Sequence, residues 1–194
     1  MALTHLMPCS IIKISIDKIL KICYYITIYI LRRNAWMFNI GDKVVYPMHG
    51  AGVIEAIEEK EILGEKQKYY IMRMPIGDMK VMIPLNNIKD IGVRQVVGDE
   101  EISEVFNILR GEKSKMSSNW NRRYRANMDK IRSGNIFQVA EVVRNLSLRD
   151  KEKGLSTGER KMLENAKHIL VSEIVLSKNI QEDEALQMIE NAFI

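Results

Sequence analysis

The chain has 194 residues, 46% of them hydrophobic and 28% charged, which describes a globular protein of one or two domains and excludes a disordered or collagen-like polymer. Its net charge of +4 does not by itself identify a nucleic-acid binder: residues 1–36 carry five Lys/Arg against one acid, 37–97 carry eight of each sign, and 98–194 carry sixteen of each. Only the distribution of charge along the chain is informative. Both cysteines, Cys9 and Cys23, precede Met37, which removes disulfides, thiolate metal sites and cysteine nucleophiles from the rest of the chain. The histidines His5, His49 and His168 are too far apart for a metal-ligand spacing, and no cofactor motif stands out.

Ile19 to Leu31 is apolar apart from Lys21, but it is shorter than the roughly 20 residues a spanning helix needs. Arg32-Arg33-Asn34-Ala35-Trp36 supplies no clean signal-peptide cleavage site. The expectation is that 1–36 is an extension outside the native fold, disordered or untranslated, with translation starting at Met37. An interfacial membrane anchor is the alternative.

From Met37 to Val97 the pattern is short β-branched runs separated by turn signals. Asp42 to Tyr46, Val53 to Ile62, Lys68 to Met74 and Met79 to Ile83 read as strands, with turns at His49-Gly50-Ala51-Gly52, Leu63-Gly64-Glu65 and Pro75-Ile76-Gly77-Asp78. This predicts a small Tudor- or SH3-like β-barrel over 37–97. His49 is a turn residue rather than a ligand, and Gly50 and Gly52 lack the Lys-Ser/Thr of a phosphate loop. Met79-Lys80-Val81-Met82-Ile83 is a candidate edge strand for pairing with a partner.

From Gly98 onward the hydrophobic period becomes helical, so the fold class is α+β with a compact all-α domain over 98–194. Ile102, Val105, Phe106 and Leu109 share one face behind a cap at Asp99. Ser118 or Asn119 caps the next helix, on which Trp120, Tyr124, Met128 and Ile131 form a stripe flanked by Arg122, Arg123 and Arg125. Residues 113–132 hold seven Lys/Arg and one acid. Two readings stand side by side. The stripe is core with arginines on a solvated face, or Trp120 is a minor-groove wedge with guanidiniums on phosphates. Ile136, Val139, Ala140 and Val143 form a third face ended by Gly154, and Ser156-Thr157-Gly158-Glu159 is a capping box opening a long helix. Arg160 and Lys161 in its first turn oppose the helix dipole, which suits a phosphate partner. Gln181-Glu182-Asp183-Glu184 opens the last helix.

MFNIGDKVVYPMHGAGVIEAI from Met37, Ile91-Gly92-Val93-Arg94, NWNRRYRANMDKI from Asn119, and Lys153 to Arg160 together resemble the CarD/CdnL family of bacterial transcription regulators. The resemblance implies an N-terminal Tudor-like domain, similar to the polymerase-binding module of the transcription-repair coupling factor, that binds the RNA polymerase β subunit. It also implies a helical domain that binds promoter DNA at the upstream edge of the transcription bubble, with little sequence specificity, and stabilises the open complex. By this resemblance Trp120 is the wedge. Arg122, Arg125 and Arg160 are basic contacts, with Arg123 and Lys161 beside them. Lys60 and the edge strand Met79, Lys80, Val81 and Met82 face the polymerase. Met82 stands where some members have arginine, which leaves backbone pairing as the main contact. No cofactor, metal, catalytic residue or small-molecule substrate is implied. The expected form is a cytoplasmic monomer, held at the nucleoid through the polymerase. The competing expectation is an RNA-binding factor of transcription elongation or the ribosome, with Trp and Tyr stacking on unpaired bases.

Overall fold

The computed structural model describes residues 38–62 and 64–193. The expectations for the extension 1–36 and for Met37 concern residues outside these. Asn39–Ile194 form one compact unit containing a sheet and a helical array.

The sheet is antiparallel and five-stranded: β1 (Lys43–Tyr46), β2 (Gly50–Ile62), β3 (Glu65–Arg73), β4 (Lys80–Pro84) and β5 (Arg94–Gln95). The strand order is β4-β3-β2-β1-β5. The expected barrel is therefore corrected to an open, Tudor-like sheet, because β4 and β5 end it on opposite sides and do not pair with each other. A β-bulge between Ile54 and Ala56 bends the long β2.

The first turn also differs from expectation. It falls at Pro47-Met48-His49, and Gly50 and Gly52 belong to β2. Close packing explains these glycines. A Cβ on Gly50, which has φ +105°, would lie 2.6 Å from Ser172 Oγ, and one on Gly52 would lie 2.7 Å from the Arg73 carbonyl oxygen. The strand lies against a helix at Gly50 and against its neighbouring strand at Gly52, and only glycine leaves the room. Gly50→Ala should lower stability by about 1–3 kcal/mol, since both the clash and the positive φ act against it. A urea midpoint equal to wild type would show that the contact is slack.

Between sheet and helices, the single turn α1 (Ile88–Ile91) ends at Gly92 in the left-handed region. The array proper is α2 (Asp99–Arg110), α3 (Trp120–Arg132), α4 (Ile136–Lys153), α5 (Thr157–Lys178) and α6 (Glu182–Asn191). The expected apolar faces of α2 and α4 are buried in a common core with Ile131, Leu163, Ala166, Leu170, Ile174 and Ile189. Local chemistry sets the ends. Asn119 Oδ1 accepts from Arg122 N, Asn135 Oδ1 from Phe137 N and Gln138 N, and Ser156 with Glu159 closes the capping box. For α2 the N-cap is Gly98 rather than Asp99. Glu101 accepts from its N–H, which leaves three acids in the first turn, where the helix dipole favours them.

Helix α5 joins the two layers. Ser172 Oγ accepts from Ala51 N at 2.8 Å, Ser177 Oγ donates to the Val97 carbonyl at 2.8 Å, and Lys43 Nζ donates to the Leu176 carbonyl at 2.7 Å. At the centre of the joint, the fully buried Glu173 accepts both Arg94 Nη1 at 2.5 Å and Arg94 Nη2 at 2.8 Å. Arg94 Nε donates to the Gly134 carbonyl, ahead of α4. The sheet is thereby fixed to the C-terminal half of α5.

Candidate nucleic-acid and protein interfaces

Two surfaces collect the residues singled out by the sequence. The first surrounds Trp120. The stripe of α3 is graded: Ile131 is buried, Met128 and Tyr124 are half-buried, and Trp120 is 43% exposed. The stripe is thus core at its C-terminal end and presents an exposed aromatic at its start. Trp120 stacks on Tyr124 with ring centroids 5.2 Å apart and 28° between planes. Its indole N–H donates to Ser156 Oγ at 2.9 Å, which brings the start of α3 beside the start of α5.

The basic residues separate into two groups. Arg122, Arg125, Arg160 and Lys161 are exposed and, among the described residues, make no ion pair. Their charges are therefore available to an anionic partner, and the positive end of α5 adds to them. Arg123 departs from the expected set of phosphate contacts. Its side chain is 3% exposed and its Nε donates to Glu159 Oε1 at 2.6 Å, a carboxylate that is itself 2% exposed. Its Nη1 donates to the carbonyls of Ser117 and Ser118. Arg123 holds the start of α3 and has no free face for phosphate. Two further cations of the basic stretch are also neutralised, Lys113 by Glu152 and Lys130 by Glu141.

Glu159 experiences opposed influences. Burial pushes its carboxyl up, but hydrogen bonds from Arg123 and from the Ser156 hydroxyl and N–H, together with the Arg123 charge, outweigh it and hold the group below the usual carboxylate range. Sequence reasoning identified Glu159 as a capping residue, but its partnership with Arg123 lies 36 positions away and has no local signal.

The second surface is the free edge of the sheet. β4 pairs only with β3, so its outer side is open for strand addition among the described residues. The register places Lys80 opposite Arg73 and Met82 opposite Ile71, and Lys60 of β2 opposite Gln67. Residues 67, 71 and 73 alternate to one side of β3, so Lys60, Lys80 and Met82 share a face. Val81, opposite Met72, points to the other side, and Met79 lies exposed just before the strand. The two lysines are not free charges: Lys60 pairs with Glu58 at 3.2 Å and Lys80 with Glu55 at 2.7 Å. The Lys80 hydrogen bond, together with the Arg73 hydrogen bond and both positive charges, holds Glu55 below the usual carboxylate range against the opposing effect of burial. What this face offers a partner is a polar main-chain edge with exposed Met82 beside it.

Among the described residues no cluster of His, Cys, Asp and Glu is arranged to hold a metal, and no helix is long and apolar enough to cross a membrane. Residues 38–97 match the profile of the CarD-like/TRCF RID domain, and residues 104–190 match the CarD C-terminal domain. The chain is 49% identical over 146 residues to a candidate transcription factor, YdeB of Bacillus subtilis (strain 168), an alignment covering 75% of this chain and 95% of that protein. With an open Tudor-like sheet and a helical array each matching its counterpart, the chain belongs to the CarD family of transcription factors.

Proposed function

We propose that this protein regulates transcription initiation by docking its β4 edge on the β subunit of RNA polymerase and presenting Trp120 to promoter DNA at the upstream edge of the bubble, so that the open complex is stabilised. The observation that carries the reading is the exposed Trp120, held beside the free cations Arg122, Arg125, Arg160 and Lys161. A body with balanced charges and one basic patch binds free DNA weakly and with little sequence preference. Tethering to polymerase raises its local concentration at the promoter. There the duplex is already strained, which lowers the cost of inserting a ring at a base step. Stabilisation arises only because this contact is better in the open state than in the closed one. The protein acts as a cytoplasmic monomer, brought to the nucleoid by the polymerase, and carries out no catalysis.

The test is the lifetime of open complexes formed by the cognate polymerase with and without the protein. Wild type should lengthen it. Trp120→Ala should keep polymerase binding and shorten the lifetime by about tenfold relative to wild type, equivalent to roughly 1.4 kcal/mol of lost contact. Equal lifetimes with both proteins would overturn the proposal. The stacked Trp120–Tyr124 pair also suits unpaired bases, so an RNA-binding factor of elongation or the ribosome is the second reading. Tighter binding to single-stranded RNA than to forked duplex DNA would favour it.

A further inference from the structure

We infer that Ser156 and Glu159 are positioning residues that fix the Trp120 indole in one orientation before any nucleic acid arrives; this rests on the DNA-contacting role of Trp120 proposed above. An exposed tryptophan ordinarily leaves its N–H to water and its ring to several rotamers. Here the N–H is committed to Ser156 Oγ at 2.9 Å.

The Ser156 hydroxyl is itself fully used. It accepts from Trp120 Nε1 and from Glu159 N at 3.3 Å, and donates to Glu159 Oε2 at 2.9 Å. One donor and two acceptor sites are all a serine hydroxyl has, so its rotation is locked. Glu159 is locked in turn by Arg123 Nε on its other oxygen, and Arg123 by the Ser117 and Ser118 carbonyls just ahead of Trp120. The contacts close a ring: Trp120, Ser156, Glu159, Arg123, and back through the chain to Trp120.

The faces of the indole are constrained as well. Tyr124 stacks on one side. A Cβ added at Gly158 would stand 3.5 Å from Trp120 Cζ2 and 3.6 Å from Tyr124 Cε2, so the start of α5 lies one methyl group away from both rings. The capping box therefore serves two ends, starting α5 and aiming a side chain of α3. A ring held this way loses little rotational freedom when it inserts, and the unbound protein already presents the inserting orientation.

The experiment uses the full chain with Trp36→Phe, so that Trp120 is the only tryptophan, excited selectively at wavelengths where the seven tyrosines do not absorb. Time-resolved fluorescence anisotropy of the free protein is compared for Ser156, Ser156→Ala and Ser156→Thr, with far-UV circular dichroism and thermal melting as checks on folding. Open-complex lifetimes are measured in parallel. Ser156→Ala should add a nanosecond component of indole motion absent from the parent and reduce the gain in lifetime by about 3- to 10-fold, the effect of one lost hydrogen bond. Ser156→Thr, which keeps the hydroxyl, should restore both, whereas a generally loosened helix would not respond to the hydroxyl. An unchanged anisotropy decay in folded Ser156→Ala overturns the inference. So does a mobile indole with an undiminished lifetime in a protein whose Trp120→Ala variant is impaired. A mobile indole together with no effect of Trp120→Ala on promoter complexes supports the holding ring and overturns the DNA role instead.

Discussion

Arg123→Ala should cost about 3–5 kcal/mol of folding free energy, a large share of the total for a chain of this size. The substitution leaves the Glu159 carboxylate buried without its main cation and frees two loop carbonyls that Arg123 now satisfies. Arg149 Nε, 3.9 Å from Glu159 Oε1, is too distant to replace the hydrogen bond. Denaturant unfolding should show the loss as a lower midpoint. Replacing both partners together, Arg123→Met with Glu159→Leu, should recover much of it, because the buried carboxylate is then removed together with its main cation.

The loss should also depend on pH. In the wild type the carboxyl of Glu159 is held below its ordinary range, so the ion pair contributes stability above about pH 4.3 and loses it as pH falls through the lower folded value. In Arg123→Ala burial acts on Glu159 without its main opponent, so protonation relieves the variant as the solution is acidified. The gap between the two proteins should be widest near neutrality and narrow in acid. A gap independent of pH would mean that packing, not charge, is what Arg123 supplies.

Glu173→Ala should cost about 2–3 kcal/mol, less than Arg123→Ala because the stranded Arg94 is about a quarter exposed and can be rehydrated. The variant removes the bidentate pair with Arg94 and the acceptor for the Val97 N–H. The damage is at the joint between sheet and α5, so hydrogen exchange should quicken first at Val97 and at Ala51, whose N–H is held by the neighbouring Ser172. Exchange that quickens equally everywhere would place the role of Glu173 in the global fold and not in the joint.

What the sequence revealed follows from the range of the forces involved. The helix ends were legible because Asn119, Ser156, Glu159 and Gly154 act within one turn of themselves, and the apolar faces because their period is local. Four of the five strands were legible for the same reason, whereas β5, only two residues long, was not. Whether β4 and β5 would meet was not, since closure depends on bend and twist summed over the sheet. Gly50 reads as a turn glycine in the sequence, yet it serves a helix residue more than a hundred positions away, close to where Ser172 meets Ala51. Arg123 reads as one of three equivalent arginines. Only the fold distinguishes it, by placing α5 against that side of α3 alone. Trp120 was legible as important, and its mounting on Ser156 was not.

Helix α5 meets Trp120 at its cap and the sheet at Ser172, Glu173 and Leu176. From Ser156 to Glu173 is roughly 25 Å along one unbroken axis. The helix is therefore a ruler with a phase. Inserting a single residue between these points would lengthen it by only about 1.5 Å, but would rotate the cap by about 100° relative to the sheet. This stretch of α5 therefore does not tolerate a change of length. The distance and bearing between the two surfaces are encoded in a count of helical residues that none of those residues reveals individually.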